Sequence, residues 1–175
     1  MPHFHIPLQS GSNEVLHLMK RRYPRELFAE KINTIRTLLP DAFIGVDVIA
    51  GMRGETLAYF EDAFSFISKL DISRLHVFPY SERQGTKALE IKEIVPPTEK
   101  HQRVEALLKL SEQKLNQFYA RFIGKTRNVL FEEHHAQGMI GGFTDNYIRI
   151  EKEFDASLIN QIVPITITPE LLGKD

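Results

Sequence analysis

The chain has 175 residues, is 42% hydrophobic and carries 22 Lys and Arg against 23 Asp and Glu, so it can bury one or two cores and offers no electrostatic case for a nucleic-acid partner. Its apolar stretches fall well short of the ~20 residues that a membrane span needs. Cysteine is absent, which excludes disulfides, thiolate metal sites, thiol nucleophiles and cysteine-held iron–sulfur clusters within this chain.

No charged-then-apolar leader precedes the first predicted strand, Phe4 to Leu8, so the chain is expected to be a cytoplasmic piece of a larger enzyme. Ser12 is placed to cap a short helix ending near Lys20-Arg21-Arg22, and Pro24 to start a second helix. Leu27, Phe28, Ile32, Ile35 and Leu39 form the expected inward stripe of that second helix, and Pro40 stops it. Phe43 to Ala50 reads as a strand apolar on both faces, which suits a parallel strand covered by helices. Thr56 is placed to cap a third helix with Phe60, Phe64, Ile67 and Leu70 at helical spacing, and Leu75 to Phe78 follows as a strand. Strand and helix alternating over short links predicts parallel strands with right-handed crossovers. Three such strands make half a barrel, whose open edges are expected to pair with a second copy.

Ile94-Val95-Pro96-Pro97 reads as a stiff linker, and Thr98 as the cap of a long helix with Val104, Leu107, Leu108, Leu115, Phe118 and Phe122 on one face. Beyond Gly124 short strands are predicted at Asn128 to Glu133, Tyr147 to Glu151 and Ile162 to Thr168. Gly-rich or polar connections hold Gly138, Gly141, Gly142 and Thr144-Asp145-Asn146. That density suggests a small antiparallel barrel of roughly fifty residues, with Pro164 at an edge or bulge.

Several residues can carry chemistry. Gln9-Ser10-Gly11-Ser12 offers hydroxyls, an amide and backbone N–H groups at a helix start, suited to a carboxylate, ribose or phosphate; the plainer reading is a capped turn. The turn at Gly51, Gly54 and Glu55 lets backbone approach a ligand, although no Gly-Lys-Ser/Thr follows to make it a phosphate loop. Asp47, the single charge in its strand, either faces a pocket or pairs with Lys or Arg, and both alternatives stand. His3 and His5 alternate on one strand face with no third ligand at suitable spacing, so a packed or hydrogen-bonded pair is expected rather than metal. His134-His135 is expected to be solvated. Lys20-Arg21-Arg22 is either a solvated helix end or an anion clamp. In the tail, Lys125, Arg127, Phe143, Tyr147 and Arg149 are candidates to stack bases and grip phosphate, against a tail balance of six basic and eight acidic residues from Arg121 onward.

Three ordered motifs carry a resemblance over nearly the whole chain. His3-Phe4-His5-Ile6-Pro7-Leu8-Gln9-Ser10-Gly11-Ser12 with Met19-Lys20-Arg21-Arg22-Tyr23 resembles the fourth-strand region of the methylthiotransferase branch of radical S-adenosylmethionine (SAM) enzymes. Asp47-Val48-Ile49-Ala50-Gly51 with Gly54-Glu55 is similar to the following strand and loop, with Met52-Arg53 where the wider family usually has Phe-Pro. Leu75-His76-Val77-Phe78-Pro79-Tyr80-Ser81-Glu82-Arg83, with Gly85-Thr86 and Ala88, is similar to the sixth strand and its loop. Gly142-Phe143-Thr144-Asp145-Asn146-Tyr147 most resembles the subgroup that adds a methylthio group to N6-threonylcarbamoyladenosine beside the tRNA anticodon.

The resemblance implies an α/β plus all-β chain. Residues 1–93 would be the C-terminal part of a radical-SAM partial TIM barrel, 94–120 a linker and long helix, and 121–175 a TRAM-like, OB-like antiparallel β-barrel for RNA. It implies that Gln9, Ser10, Ser12, Asp47, Ile49, Gly51, Glu55, Val77, Phe78 and Tyr80 lie near S-adenosylmethionine. No catalytic or metal-ligating residue is expected in the chain. The parent enzyme would hold two 4Fe-4S clusters on upstream domains, cleave SAM reductively, insert sulfur at adenine C2 and methylate it from another SAM. Isopentenyladenosine in tRNA, or an aspartate of a ribosomal protein, is the alternative substrate within this branch. A non-catalytic RNA-binding module is the alternative outside it. The expected partners are the tRNA anticodon loop and the upstream domains, with no membrane, and the chain alone is expected to be inactive.

Overall fold

A computed structural model describes residues 2–136 and 138–173, with the backbone alone described for 133–136. The side chains of His134 and His135 therefore lie outside the described residues. The chain divides into two compact units. The first is Phe4–Pro40 with Ile44–Leu115, and the second is Met1–His3, Asp41–Phe43 and Asn116–Asp175.

The elements run β1 (His3–Gln9), α1 (Asn13–Leu18), α2 (Arg25–Leu38), β2 (Phe43–Ala50), α3 (Leu57–Lys69), β3 (Arg74–Pro79) and α4 (Pro97–Ala120). They continue as β4 (Thr126–Ala136), β5 (Met139–Thr144), β6 (Arg149–Glu153) and β7 (Ile162–Thr166). In the first unit the sheet order is β1-β2-β3, and β2 and β3 pair in parallel with Asp47 opposite His76. Strand alternation sends Leu8, Ile44, Val46, Val48, Ala50 and Leu75 into one core against Phe28, Ile32, Ile67, Leu107 and Leu110 of the helices. Burying each Val, Leu, Ile or Phe side chain of this set contributes about 1.5–3 kcal/mol.

Local signals explain most boundaries. The Ser12 hydroxyl accepts the Val15 N–H at 3.4 Å, and the Thr56 hydroxyl accepts the Tyr59 N–H at 3.2 Å, so both expected caps form. Pro24 is itself the N-cap rather than the first helical residue of α2. The predicted stripe of α2 is too wide: Phe28 and Ile32 are buried, but Leu27 and Leu39 are exposed. Leu39 falls outside the helix as its C-cap, where helical phase no longer holds. On α4, Leu108 is likewise exposed and Leu110 takes its place in the core. α4 begins at Pro97, so Thr98 lies inside the helix instead of capping it.

The second unit is a four-stranded antiparallel sheet in the order β6-β5-β4-β7. Among the described residues no β6–β7 pairing closes it, so the expected barrel appears here as an open sheet. β5 runs through Gly141 and Gly142, a segment whose glycines read as a connection in sequence. The glycine is needed there because the strands approach closely: a Cβ on Gly142 would lie 2.4 Å from the Leu130 carbonyl oxygen. The core of this unit is Phe118, Phe122, Val129, Phe131, Ile140, Ile148, Ile150 and Ile167, with Phe43 meeting Phe118 edge-on at 5.4 Å.

Substituting Gly142→Ala is expected to lower stability by about 1–3 kcal/mol, since backbone rather than a movable side chain meets the new methyl. Urea denaturation checks this, and an unchanged midpoint would mean that β4 and β5 separate without cost.

Candidate functional site

In the first unit the carboxyl ends of β1, β2 and β3 open into a groove of about 590 Å³ lined by Gln9, Arg21, Asp47, Ile49, Phe78 and Tyr80 among others. A neighbouring groove of about 760 Å³ shares Arg21, Ile49 and Tyr80 with it and extends to His17, Met52 and Ile91. The lip of an open parallel sheet is where the fold leaves backbone ends and loop side chains for a ligand. Gln9 leaves β1 with φ 72°, a left-handed conformation costly for a residue with a Cβ.

Of the sequence candidates, Gln9, Asp47, Ile49, Phe78 and Tyr80 meet in the groove, and Phe78 is 52% exposed there. Asp47 pairs with His5, not with the Lys or Arg that was one expectation. His5 and His3 likewise have separate partners rather than each other, His3 stacking on Tyr147 at 4.2 Å. Ser10 and Ser12 are buried within the turn: the Ser12 N–H donates to the Ser10 hydroxyl at 3.2 Å and the Ser12 hydroxyl donates to Glu14 at 2.8 Å. Val77 packs against the core.

Gly51 and Glu55 shape the loop after β2. Gly51 has φ 78°, and its N–H donates to the Glu55 carboxylate at 2.7 Å. Arg103 of α4 donates to that same carboxylate at 2.9 Å and to the Glu55 carbonyl at 2.7 Å. Both side chains are almost fully buried. Burial pushes the Glu55 carboxyl above its ordinary value, opposed by the Arg103 hydrogen bond and the Gly51 N–H. Lys100, one turn earlier, donates to the Tyr80 carbonyl at 3.0 Å, so α4 fixes the loops after both β2 and β3. Arg53 adds bonds to Glu82 at 2.7 Å and to the Ile91 carbonyl at 2.9 Å. Sequence reading passed over Lys100 and Arg103, because polar residues on a long helix read as its solvated side. The Arg103–Glu99 pair, an i, i+4 spacing, was the available hint.

In the second unit both faces of the Tyr147 ring are covered, by His3 at 4.2 Å and Phe143 at 4.8 Å. Tyr147 holds φ 69° in the turn closed by Thr144, whose N–H donates to the Ile148 carbonyl at 2.9 Å. Arg127 lies against Asp41 and Asp145, with its guanidinium 5.0 Å from the Phe122 ring centre. Lys125 lies over the same ring at 5.1 Å, and Arg149 pairs with Glu151 at 2.9 Å.

Removing one partner of the buried pair should be severe: Arg103→Met is expected to cost about 3–5 kcal/mol, because the Glu55 charge is left uncompensated. Adding Glu55→Leu should recover much of that loss. Equilibrium denaturation of the single and double variants checks both, and a single-variant loss below about 1 kcal/mol would show the pair to be dispensable.

No family model matches the chain. It is 37% identical over 169 residues to the threonylcarbamoyladenosine tRNA methylthiotransferase MtaB of Bacillus subtilis, covering 94% of this chain and 38% of that protein. The MtaB of Aquifex aeolicus is 40% identical over 153 residues, covering 87% of this chain and 36% of its own length. The tRNA-2-methylthio-N(6)-dimethylallyladenosine synthase of Aliarcobacter butzleri is 35% identical, covering 94% of this chain and 38% of its own length. The chain thus spans little more than a third of these relatives. Among solved structures, coproporphyrinogen III oxidase (HemN) of Escherichia coli, described as a radical SAM enzyme, superposes with a TM-score of 0.52. It covers 71% of this chain and 28% of HemN at 23% identity, which makes the likeness one of fold. Over nearly its whole length, the chain is thus similar to tRNA methylthiotransferases of the MtaB type and of the dimethylallyladenosine type.

Proposed function

We propose that the chain is the ligand-positioning and RNA-contacting part of a radical SAM tRNA methylthiotransferase. The parent enzyme converts N6-threonylcarbamoyladenosine to its 2-methylthio derivative. The observation that carries this reading is the 37% identity to MtaB across 94% of the chain.

The groove suits an adenosyl ligand on its own chemistry. Ile49 and Phe78 give it an apolar wall for a purine, while Gln9 and the Asp47 carboxylate supply polar partners for ribose or ammonium donors. Bound there, SAM supplies the radical and methyl-transfer chemistry, and this chain's residues orient it. Gln9, Asp47, Ile49, Phe78 and Tyr80 line its site. Ser10, Ser12, Gly51, Glu55 and Val77 act from behind it by holding the turn, the loop and the strand. The chain has no cysteine, so the two 4Fe-4S clusters of the parent belong to upstream domains.

The second unit is read as the TRAM-like RNA-binding part, with Lys125, Arg127, Phe143, Tyr147 and Arg149 at the anticodon loop. With Tyr147 covered on both faces, its edge and hydroxyl are what it can present to a base. The edge strands β1 and β3 are the surfaces through which the upstream domains or a second copy would pair. Among the described residues no helix is long and apolar enough to cross a membrane, and a cytoplasmic location accords with a tRNA substrate.

A second reading, methylthiolation of an N6-dimethylallyl or isopentenyl adenosine, is favoured by the 35% identity to the Aliarcobacter butzleri synthase. Mass spectrometry of tRNA nucleosides from cells with and without the gene separates the two. Selective loss of the methylthio mark on threonylcarbamoyladenosine is expected, and loss on the dimethylallyl nucleoside alone would give the second reading. Survival of every tRNA methylthio mark would overturn both and direct attention to a protein or another RNA. The purified chain is expected to carry out no methylthiolation by itself; any turnover would contradict the assignment of the clusters to upstream domains.

A further inference from the structure

His5 of β1, Asp47 of β2 and His76 of β3 stand side by side on the sheet face opposite the helices. Their neighbours Phe4, Ile6, Val46, Val48, Leu75 and Val77 point the other way, into or against the core. Asp47 and His76 are cross-strand partners. The His5 Nε2 hydrogen-bonds Asp47 Oδ1. A carboxylate only accepts, so Nε2 is the donor. The His5 ring in turn stacks on His76 at 4.6 Å and 29°. Gly45 leaves the room for this arrangement, since a Cβ there would come within 3.0 Å of the His76 Nε2. Two histidines and an aspartate invite a metal, but among the described residues no three such groups have the geometry to hold one.

Asp47 also lines the groove, and no partner besides His5 is seen for its carboxylate among the described residues. A carboxylate free to turn about its terminal torsion presents its oxygens in many directions, whereas one held by a single oxygen presents the other along a fixed line.

We propose that His5 is a positioning residue: it holds Oδ1 of Asp47, braced by the His76 ring, so that Oδ2 is presented to the groove as the acceptor for hydroxyl or ammonium donors of an adenosyl ligand. This rests on the assignment of the groove to SAM. The side chain of His5 is 51% exposed, so it can be replaced without opening the core.

Equilibrium dialysis of the chain with SAM as probe tests it. His5→Leu, which keeps bulk and loses the donor, is expected to weaken binding roughly tenfold or more. His5→Gln, which keeps an N–H, should restore most of the affinity. Asp47→Ala should weaken binding at least as much, and adding His5→Leu to it should change nothing further, because His5 acts through Asp47. Unaltered binding by His5→Leu, an equal loss in the Asp47→Ala background, failure of His5→Gln to rescue, or no SAM binding by the chain itself would each overturn the proposal. The tRNA nucleoside profile reads the parent activity independently, so failure of the positioning role and failure of the functional assignment give different results.

Discussion

The buried Arg103–Glu55 pair is the contact on which the groove depends. A three-stranded layer ends in loops whose N–H and C=O groups have no further strand to bond, and the edge of β3 adds more of them. Helix α4 meets these needs with a polar stripe. Arg103 closes the loop after β2, and Lys100 holds the Tyr80 carbonyl after β3. The Ser111 hydroxyl accepts the Leu75 N–H and donates to the Leu75 carbonyl, both at 2.9 Å, so it stands in for a neighbouring strand on β3. Lys114 donates to the carbonyls of Ser68 and Leu70 at the end of α3, at 3.1 and 2.7 Å. Arg103, Ser111 and Lys114 are all buried, a costly placement that holds only because each donor has a partner.

With those ends satisfied, the sheet becomes two-faced. One face is sealed by α2, α3 and α4 in a continuous apolar core, and the other keeps polar groups: His5, Asp47 and His76, with Gln9 at the lip. That division lets an aspartate sit within an otherwise apolar strand. Asp47 does not enter the core, and its charge is met by His5 on the open side. Phe78 lines the same groove and is half-exposed, an apolar side chain left in water on the open side of the sheet.

Much of this was legible in the sequence, for identifiable reasons. The strand signal of β1, the apolar run of β2, and the caps at Ser12 and Thr56 are local signals, and each element lies within a few residues of its expected place, although only one face of β2 enters the core. Three kinds of feature were not legible. β5 has two glycines because a neighbouring backbone presses on it, a long-range cause that local composition reads as a loop. The partner of Asp47 is His5, 42 residues away, and strand pairing rather than spacing brings them together. The polar stripe of α4 has the periodicity of a solvated face, and only the loops that it meets distinguish it from one.

The second unit shows a different balance, with consequences for any polyanion it contacts. Arg127 is shared between Asp41 and Asp145, and Arg149 is held by Glu151, so two of its candidate cations already face carboxylates. A phosphate would have to compete with those carboxylates, and the counterion release that drives most nucleic-acid binding would be small. What remains is apolar and directional. Leu130 pairs across the sheet with Ile162 on one side and Phe143 on the other, and Phe143 pairs with Arg149. Leu130 and Ile162 are exposed, so this row gives a strip for stacked or apolar contact ending in a guanidinium. An RNA held this way would be recognised by shape and by unstacked bases more than by charge. The near-zero net charge that argued against nucleic acid from composition alone is then no obstacle, because it excludes only the electrostatic mode of binding.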